Sequence, residues 1–290
     1  MLPQQNYLPA ILWVLLSTFI WTLIFAAGKF SDGVVGVFQL TFLRYIGALL
    51  TLLILLPWQG GFKSHKSKQP LVHLARAICG SGATVAITWA SVKMPLIDAT
   101  AIGLLYGVLA LLLGVVVLKE RVSRKHWIAM IVCLTGVGII MFGKGAFQGG
   151  VSILPSSVAF LSAILLAVEG LLISVLGRAE RAFTVMLYVT FFGLCLMIWP
   201  AFIEWQSITW KISAICIFLG PLGVLGQYCT IRGYRSAPLS VVAPVDYSWL
   251  LFSALLGVFF FHEVPGIGTW IGSAIIIGGG VLLARSGNRN

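Results

Sequence analysis

The sequence predicts an all-α integral membrane protein with ten transmembrane helices, arranged as two inverted five-helix repeats. Three observations lead there. The 290 residues are 59% hydrophobic and 9% charged, with a mean hydropathy of +1.03, where a soluble domain carries about 25% charged residues. The apolar residues gather into ten runs, each near the ~20 residues that a helix needs to cross roughly 30 Å of hydrocarbon. Residues 95–136 are also written a second time at 238–279.

Taken in order, the first run, 8–28, has no basic stretch before it and is long enough to span, so it is expected to be retained and not cleaved. The second, 34–56, carries Arg44 deep inside. The loop 57–73 (PWQGGFKSHKSKQPLVH) is the longest polar stretch, and its basic cluster is expected to rest on anionic headgroups. The third run, 74–92, holds Gly80-Ser81-Gly82, a patch small enough for close helix contact. The fourth and fifth, 95–118 and 126–143, form the first copy of the repeat. KGAFQGGVS at 144–152 is short and Gly-rich and reads as a turn. The sixth run, 153–176, contains Glu169, and the seventh spans 183–203. The eighth, 212–231, has Pro221 between Gly220 and Gly223. The ninth and tenth, 238–261 and 267–284, are the second copy. The tenth carries Gly268-xxx-Gly272 and Gly278-Gly279-Gly280, which either pack within the monomer or join two copies in a homodimer. None of the runs alternates as a barrel strand does, and in lipid the remaining way to satisfy the backbone is a helix.

Loop charge sets the threading. With both termini on one side, fourteen of the nineteen Lys and Arg fall there: Lys63, Lys66, Lys68, Arg76, Lys119, Arg121, Arg124, Lys125, Arg178, Arg181, Arg232, Arg235, Arg285 and Arg289. Four fall on the other (Lys29, Lys93, Lys144, Lys211), and Arg44 lies within a span. That bias places both termini in the cytoplasm and marks a multi-pass protein of the inner membrane. It also accounts for the net charge of +11 without nucleic acid as a partner.

Shifted by 143 residues (238 − 95), the two copies align without a gap. Pro95 meets Pro238, Leu96 Leu239, Gly114 Gly257, Glu120 Glu263, Trp127 Trp270 and Gly136 Gly279, while Tyr106 falls on Trp249. Five helices per half make the halves antiparallel. Accordingly the loop around Glu120 is packed with Lys119, Arg121, Arg124 and Lys125, whereas the loop around Glu263 has no Lys or Arg.

Two halves with a Pro-Leu opening, a glycine in the fourth helix, Glu at its end and a Trp-to-Gly fifth helix resemble the EamA-type members of the drug/metabolite transporter superfamily. The matching pieces are PLIDATAI…LLLGVVVLKERVS…W…TGVGII and APLSVVAPVDY…LLGVFFFHEVP…W…IIIGGG. The resemblance covers almost the whole chain and implies one repeat over 1–146 and an inverted one over 151–290. It implies a secondary transporter with a central cavity between the halves, lined mainly by the first, third, fourth, sixth, eighth and ninth helices. Family members export amino acids and other metabolites, and some relatives import cofactors such as S-adenosylmethionine or riboflavin. Export of a small organic metabolite by alternating access is the leading expectation, and cofactor uptake the alternative.

Ionisable groups deep in a span normally face protein or water and mark function. Asp246 and Glu169 are the candidates for binding a cationic group of the solute or for proton coupling. The structural alternative is a buried pair in which Arg44 neutralises one of them. Trp21, Trp89, Tyr106, Tyr247 and Trp249 could line the cavity and stack on flat or cationic cargo. Pro244 beside Asp246, and Pro221, free backbone carbonyls at mid-span, and Glu120 and Glu263 read as interfacial anchors or gate latches. Asp98 suits the positive end of its helix. Trp13, Trp58, Trp127, Trp199, Trp205, Trp210 and Trp270 read as interface belt residues.

The five cysteines sit inside apolar runs with no CxxC and no Cys/His spacing, so neither zinc nor a disulfide framework is expected. There is no GxxxxGK[ST] loop for ATP, and no cofactor is implied. An intramembrane enzyme on lipid substrates would call for clustered His, Asp or Glu such as HExxH, which the sequence lacks.

Overall fold

A computed structural model of the chain describes residues 7–31, 34–117, 124–143, 153–236, 245–246, 248–262 and 266–286. The helices are α1 (Leu8–Phe30), α2 (Val37–Leu55), α3 (Pro70–Lys93), α4 (Leu96–Gly103), α5 (Leu105–Val117), α6 (Arg124–Gly143), α7 (Ile153–Ala179), α8 (Ala182–Ile203), α9 (Trp210–Ser236), α10 (Ser248–Phe261) and α11 (Ile267–Ser286). Six of them (α1, α2, α3, α7, α8 and α9) are long and apolar enough to cross a bilayer by themselves. Prolines open α1 and α3 in the first turn, where the missing N–H has no intrahelical partner to lose.

Eight of the ten expected spans correspond to one described helix each, and of the ninth the described helix is Ser248–Phe261. The fourth was expected to be continuous and is broken at Leu104 into α4 and α5. Gly107 N–H reaches back only three residues, to Leu104 O at 3.2 Å, so the ladder tightens and slips there. The slip falls beside Gly103, where the Trp249 ring packs 3.6 Å from the position a Cβ would take. Phe25, Ile87, Leu104, Leu105, Trp249 and Leu250 close around it as the largest buried cluster. Lipid tails are as apolar as these side chains, so such a cluster holds by close packing and not by exclusion of water.

Helix contacts repeat when the halves are exchanged. α3 packs on α7 and α1 on α9, α2 on α9 and α8 on α3, and α5 on α7 and α10 on α1. The contacts of α2 on α8, α6 on α11 and α4 on α10 join equivalent helices and map onto themselves. Polar contacts also respect the threading. Lys29 Nζ donates to Met94 O and Gln39 joins Gln206, all at helix ends that ten alternating crossings put on one face. His65 joins Thr184, and Ser67 and His73 join Glu180, at ends on the opposite face. Within the chain α11 packs against α6.

The tightest crossing is α2 against α9. Pro221 has no N–H to give Ile217 O, and that carbonyl stands 1.9 Å from where a Cβ on Gly47 would lie. On the other side, a Cβ on Gly220 would lie 2.2 Å from Ala48 N. The proline expected to loosen a cavity helix instead sits where two backbones touch, and α9 runs unbroken through it. Trp58, Trp199 and Trp210, each at least three-quarters exposed, stand at helix ends as an interfacial belt requires. Trp13 departs from the belt and packs edge-on against Tyr228, centroids 5.9 Å apart.

Candidate functional site

Asp246, 8% exposed, is brought against two tyrosines from different halves of the chain. Tyr106 Oη, two residues past the break between α4 and α5, donates to Asp246 Oδ2 at 2.5 Å. Tyr234 Oη, near the end of α9, donates to the same oxygen. No described residue donates to Oδ1. The chemistry is not repeated in the first half, because the 143-residue shift puts Gly103 opposite Asp246. The architecture is twofold and the acid is single.

Next to this cluster, α1 presents a polar and aromatic face. Ser17 shares a hydrogen bond with Thr230 at 2.6 Å and Thr18 one with Ser248 at 2.8 Å. One turn on, the Trp21 ring stacks on Phe25, which meets Trp249 at 5.4 Å between centroids. The Arg44 guanidinium lies over both Trp21 and Tyr45, 5.7 and 4.9 Å from the ring centroids. Trp249 Nε1 is buried with no hydrogen-bond partner among the described residues. Trp89 on α3 is half-buried and joins neither group.

Glu169 is held differently from expectation. Its partner is Arg76 on α3, Nη2 to Oε1 at 3.5 Å, and not Arg44. Arg76 had been counted among the loop cations, yet it is fully buried in α3 and also donates to Val185 O. That correction lowers the charge tally to thirteen against four and leaves its direction unchanged. The helix begins earlier than the apolar run suggests, and the arginine is drawn inside by a carboxylate on a neighbouring helix.

Beside this pair, His73 Nε2 lies 2.9 Å from Glu180 Oε2, and the His73 ring stacks on Tyr188. Ser67 Oγ donates to Glu180, and Ser67 N–H to Tyr188 Oη. The basic loop is therefore not wholly laid on headgroups: His65 is buried and shares a hydrogen bond with Thr184 at 2.8 Å. The corresponding tie on the opposite face joins Gln39, whose Nε2 donates to Gln206 O at 3.0 Å and whose Oε1 accepts from Gln206 N–H at 3.2 Å. Gln39 and Thr184 are each the third residue of their helices, α2 and α8. One such tie stands at each face.

Glu120, Pro244, Tyr247 and Glu263 lie outside the described residues. Tyr234, Arg76, His65 and Glu180 were not foreseen. Tyr234 could have been reached from spacing, because Gly223, Gln227, Thr230 and Tyr234 fall on one helical face. Among the described residues no group of His, Cys, Asp and Glu could hold a metal ion.

The family description "EamA-like transporter family" matches the chain twice, over residues 8–142 and 154–285. The chain belongs to that family; it is a membrane transporter and not an enzyme. It is 26% identical to the pseudopaline exporter CntI of Pseudomonas aeruginosa, over 95% of this chain and 96% of that one. It is 22% identical to the S-adenosylmethionine uptake transporter of Rickettsia prowazekii, over 94% and 91%. It is 24% identical to the riboflavin transporter of Vibrio cholerae, over 94% and 92%. A solved crystal structure superposes with a TM-score of 0.72 over 98% of this chain and 100% of its own, at 19% identity, a likeness of fold.

Proposed function

We propose that the protein is a secondary transporter of the cytoplasmic membrane, exporting an amino acid or related small metabolite by alternating access between repeats 1–146 and 151–290. Both termini lie in the cytoplasm, and Asp246 takes either a coupling proton or a cationic group of the solute. One observation carries this: Asp246, inside the spans, is held by tyrosines of both halves, with Oδ1 engaged by no described residue. Motion of one half against the other changes the donors around that carboxylate, and with them its hold on a proton or cation. Export follows the pseudopaline exporter, which is similar over nearly the whole chain. The uptake transporters of similar coverage favour the second reading, import of a cofactor-like metabolite.

Flux into proteoliposomes, with and without a pH gradient, tests the site. Asp246→Asn is expected to lower flux about thirtyfold or more, the effect of truncating a buried charged group, and to abolish any response to the gradient. Asp246→Asn flux equal to the parent at every pH would overturn the assignment.

The paired ties make a further expectation. Each is a net ~1 kcal/mol, enough to move a two-state equilibrium about fivefold. Thr184→Val should raise labelling of a cysteine at Gln227 from the cytoplasmic face, and Gln39→Leu from the opposite face. Identical labelling in both variants would remove the ties from the transport cycle.

A further inference from the structure

Arg44 is 5% exposed, and no described carboxylate lies within ion-pair distance of it. Glu169 is the partner of Arg76 and not of Arg44. Around Arg44 are two ring faces and the backbone of α9, whose Gly223 leaves its Nη1 3.2 Å from where a Cβ would be. Ring faces offset part of the cost of burying a cation but supply no acceptor for its N–H donors.

Four residues further along the same face of α9, Gln227 Nε2 is buried with no hydrogen-bond partner among the described residues. The face then continues through Thr230, tied to Ser17, and ends at Tyr234 on Asp246. From Gly223 to Tyr234 is ~16 Å along the axis, and the tyrosine leans back toward the helix start. One stripe therefore runs from an unneutralised cation, past an unused amide, to a half-used carboxylate, with the Trp21 ring alongside.

We propose that Arg44, with Gln227 beside it, receives the carboxylate of the transported solute, and that Asp246 at the far end of the stripe receives its cationic group. The solute is then a zwitterion whose opposite charges are spaced along α9. This rests on the reading of Asp246 given above and adds the second end of the site. Guanidinium is the side chain suited to a carboxylate, since its planar donors match the two oxygens.

The test uses the purified full-length protein and measures thermal stabilisation. The probes are ω-amino carboxylates from glycine to aminooctanoate, each with its methyl ester and its deaminated acid. The parent is expected to be stabilised best by one length of zwitterion, and less by either singly charged analogue. Arg44→Gln should weaken that zwitterion about thirtyfold or more while leaving the methyl ester unchanged. Arg44→Lys should restore part of the loss. Asp246→Asn should do the converse, sparing the deaminated acid.

Should Arg44→Gln not fold, Arg44→Lys and protection of Gln227→Cys from maleimide by the same probes carry the test. A parent that no zwitterion stabilises or protects overturns the proposal, as does an Arg44 variant that answers the zwitterions as the parent does. If Asp246→Asn alone loses the amine response, the Asp246 reading stands and the Arg44 end falls. If Asp246→Asn keeps the amine response, the Asp246 reading itself falls.

Discussion

Arg76→Met is expected to be the most destabilising substitution in the bundle, at about 3–5 kcal/mol, because it strands Glu169 as a buried acid without its cation. Arg76 has no exposed surface, and its Nε and Nη2 find no hydrogen bond among the described residues. The pair is thus a loose ion contact at 3.5 Å. A desolvated pair of this kind contributes little net stability, yet removing either half leaves an uncompensated charge. Glu169→Leu should therefore cost a comparable amount, by stranding Arg76 in turn, and Arg76→Met with Glu169→Leu should recover most of it. Unfolding of the four proteins in detergent, read as a double-mutant cycle, gives the coupling directly. A double variant no more stable than either single would contradict it. The same double variant also decides the role of Glu169 in transport. If it moves solute as the parent does, Glu169 is a packing partner only.

Gly47→Ala and Gly220→Ala are expected to be the next most severe changes. Each would place a methyl group within about 2 Å of backbone atoms of the opposing helix, 1.9 Å for Gly47 and 2.2 Å for Gly220. Backbone cannot turn aside as a long side chain can, so α2 and α9 must separate. Overpacking of this sort costs typically 1–3 kcal/mol, occasionally more. Here separation would also uncover Ile217 O, the carbonyl without an N–H because of Pro221. Retained stability in both variants, measured by thermal unfolding, would show that the helices can part at little cost. Gly138→Ala serves as the control, since its backbone is helical and nothing lies within 4 Å of its Cβ position.

The architecture was legible because lipid imposes it. The apolar runs are set by bilayer thickness, and the repeat of Pro95–Glu120–Trp127 in Pro238–Glu263–Trp270 fixes which helices correspond. The site was legible only where depth alone signals cost. Asp246 and Tyr106 were named from their spans, and the structure places them in hydrogen-bond contact. Tyr234 carries no such mark, because RGYRS looks like a charged helix end, although its side chain folds back to the acid. Arg76 was misread for the same reason: at the edge of an apolar run, a buried arginine and a loop arginine look alike. Which acid pairs with which cation depends on helix rotation, and the weak one-sidedness of these apolar helices does not set that rotation. The break in the fourth span was also unsigned, since no proline marks it and Gly103 matters only through Ile87 and the Trp249 ring packed beside it.

The inversion of the halves underlies the shared site, the paired ties and the exchange of helix contacts. Its most direct measurement is labelling of single cysteines at Ser64 and Ser207, both exposed and each in the loop before the third helix of its half. In a background without the native cysteines, sealed vesicles of known orientation and an impermeant maleimide should report Ser64→Cys at the cytoplasmic face and Ser207→Cys at the opposite one. Labelling of both from the same face would contradict the antiparallel threading on which the transport cycle depends.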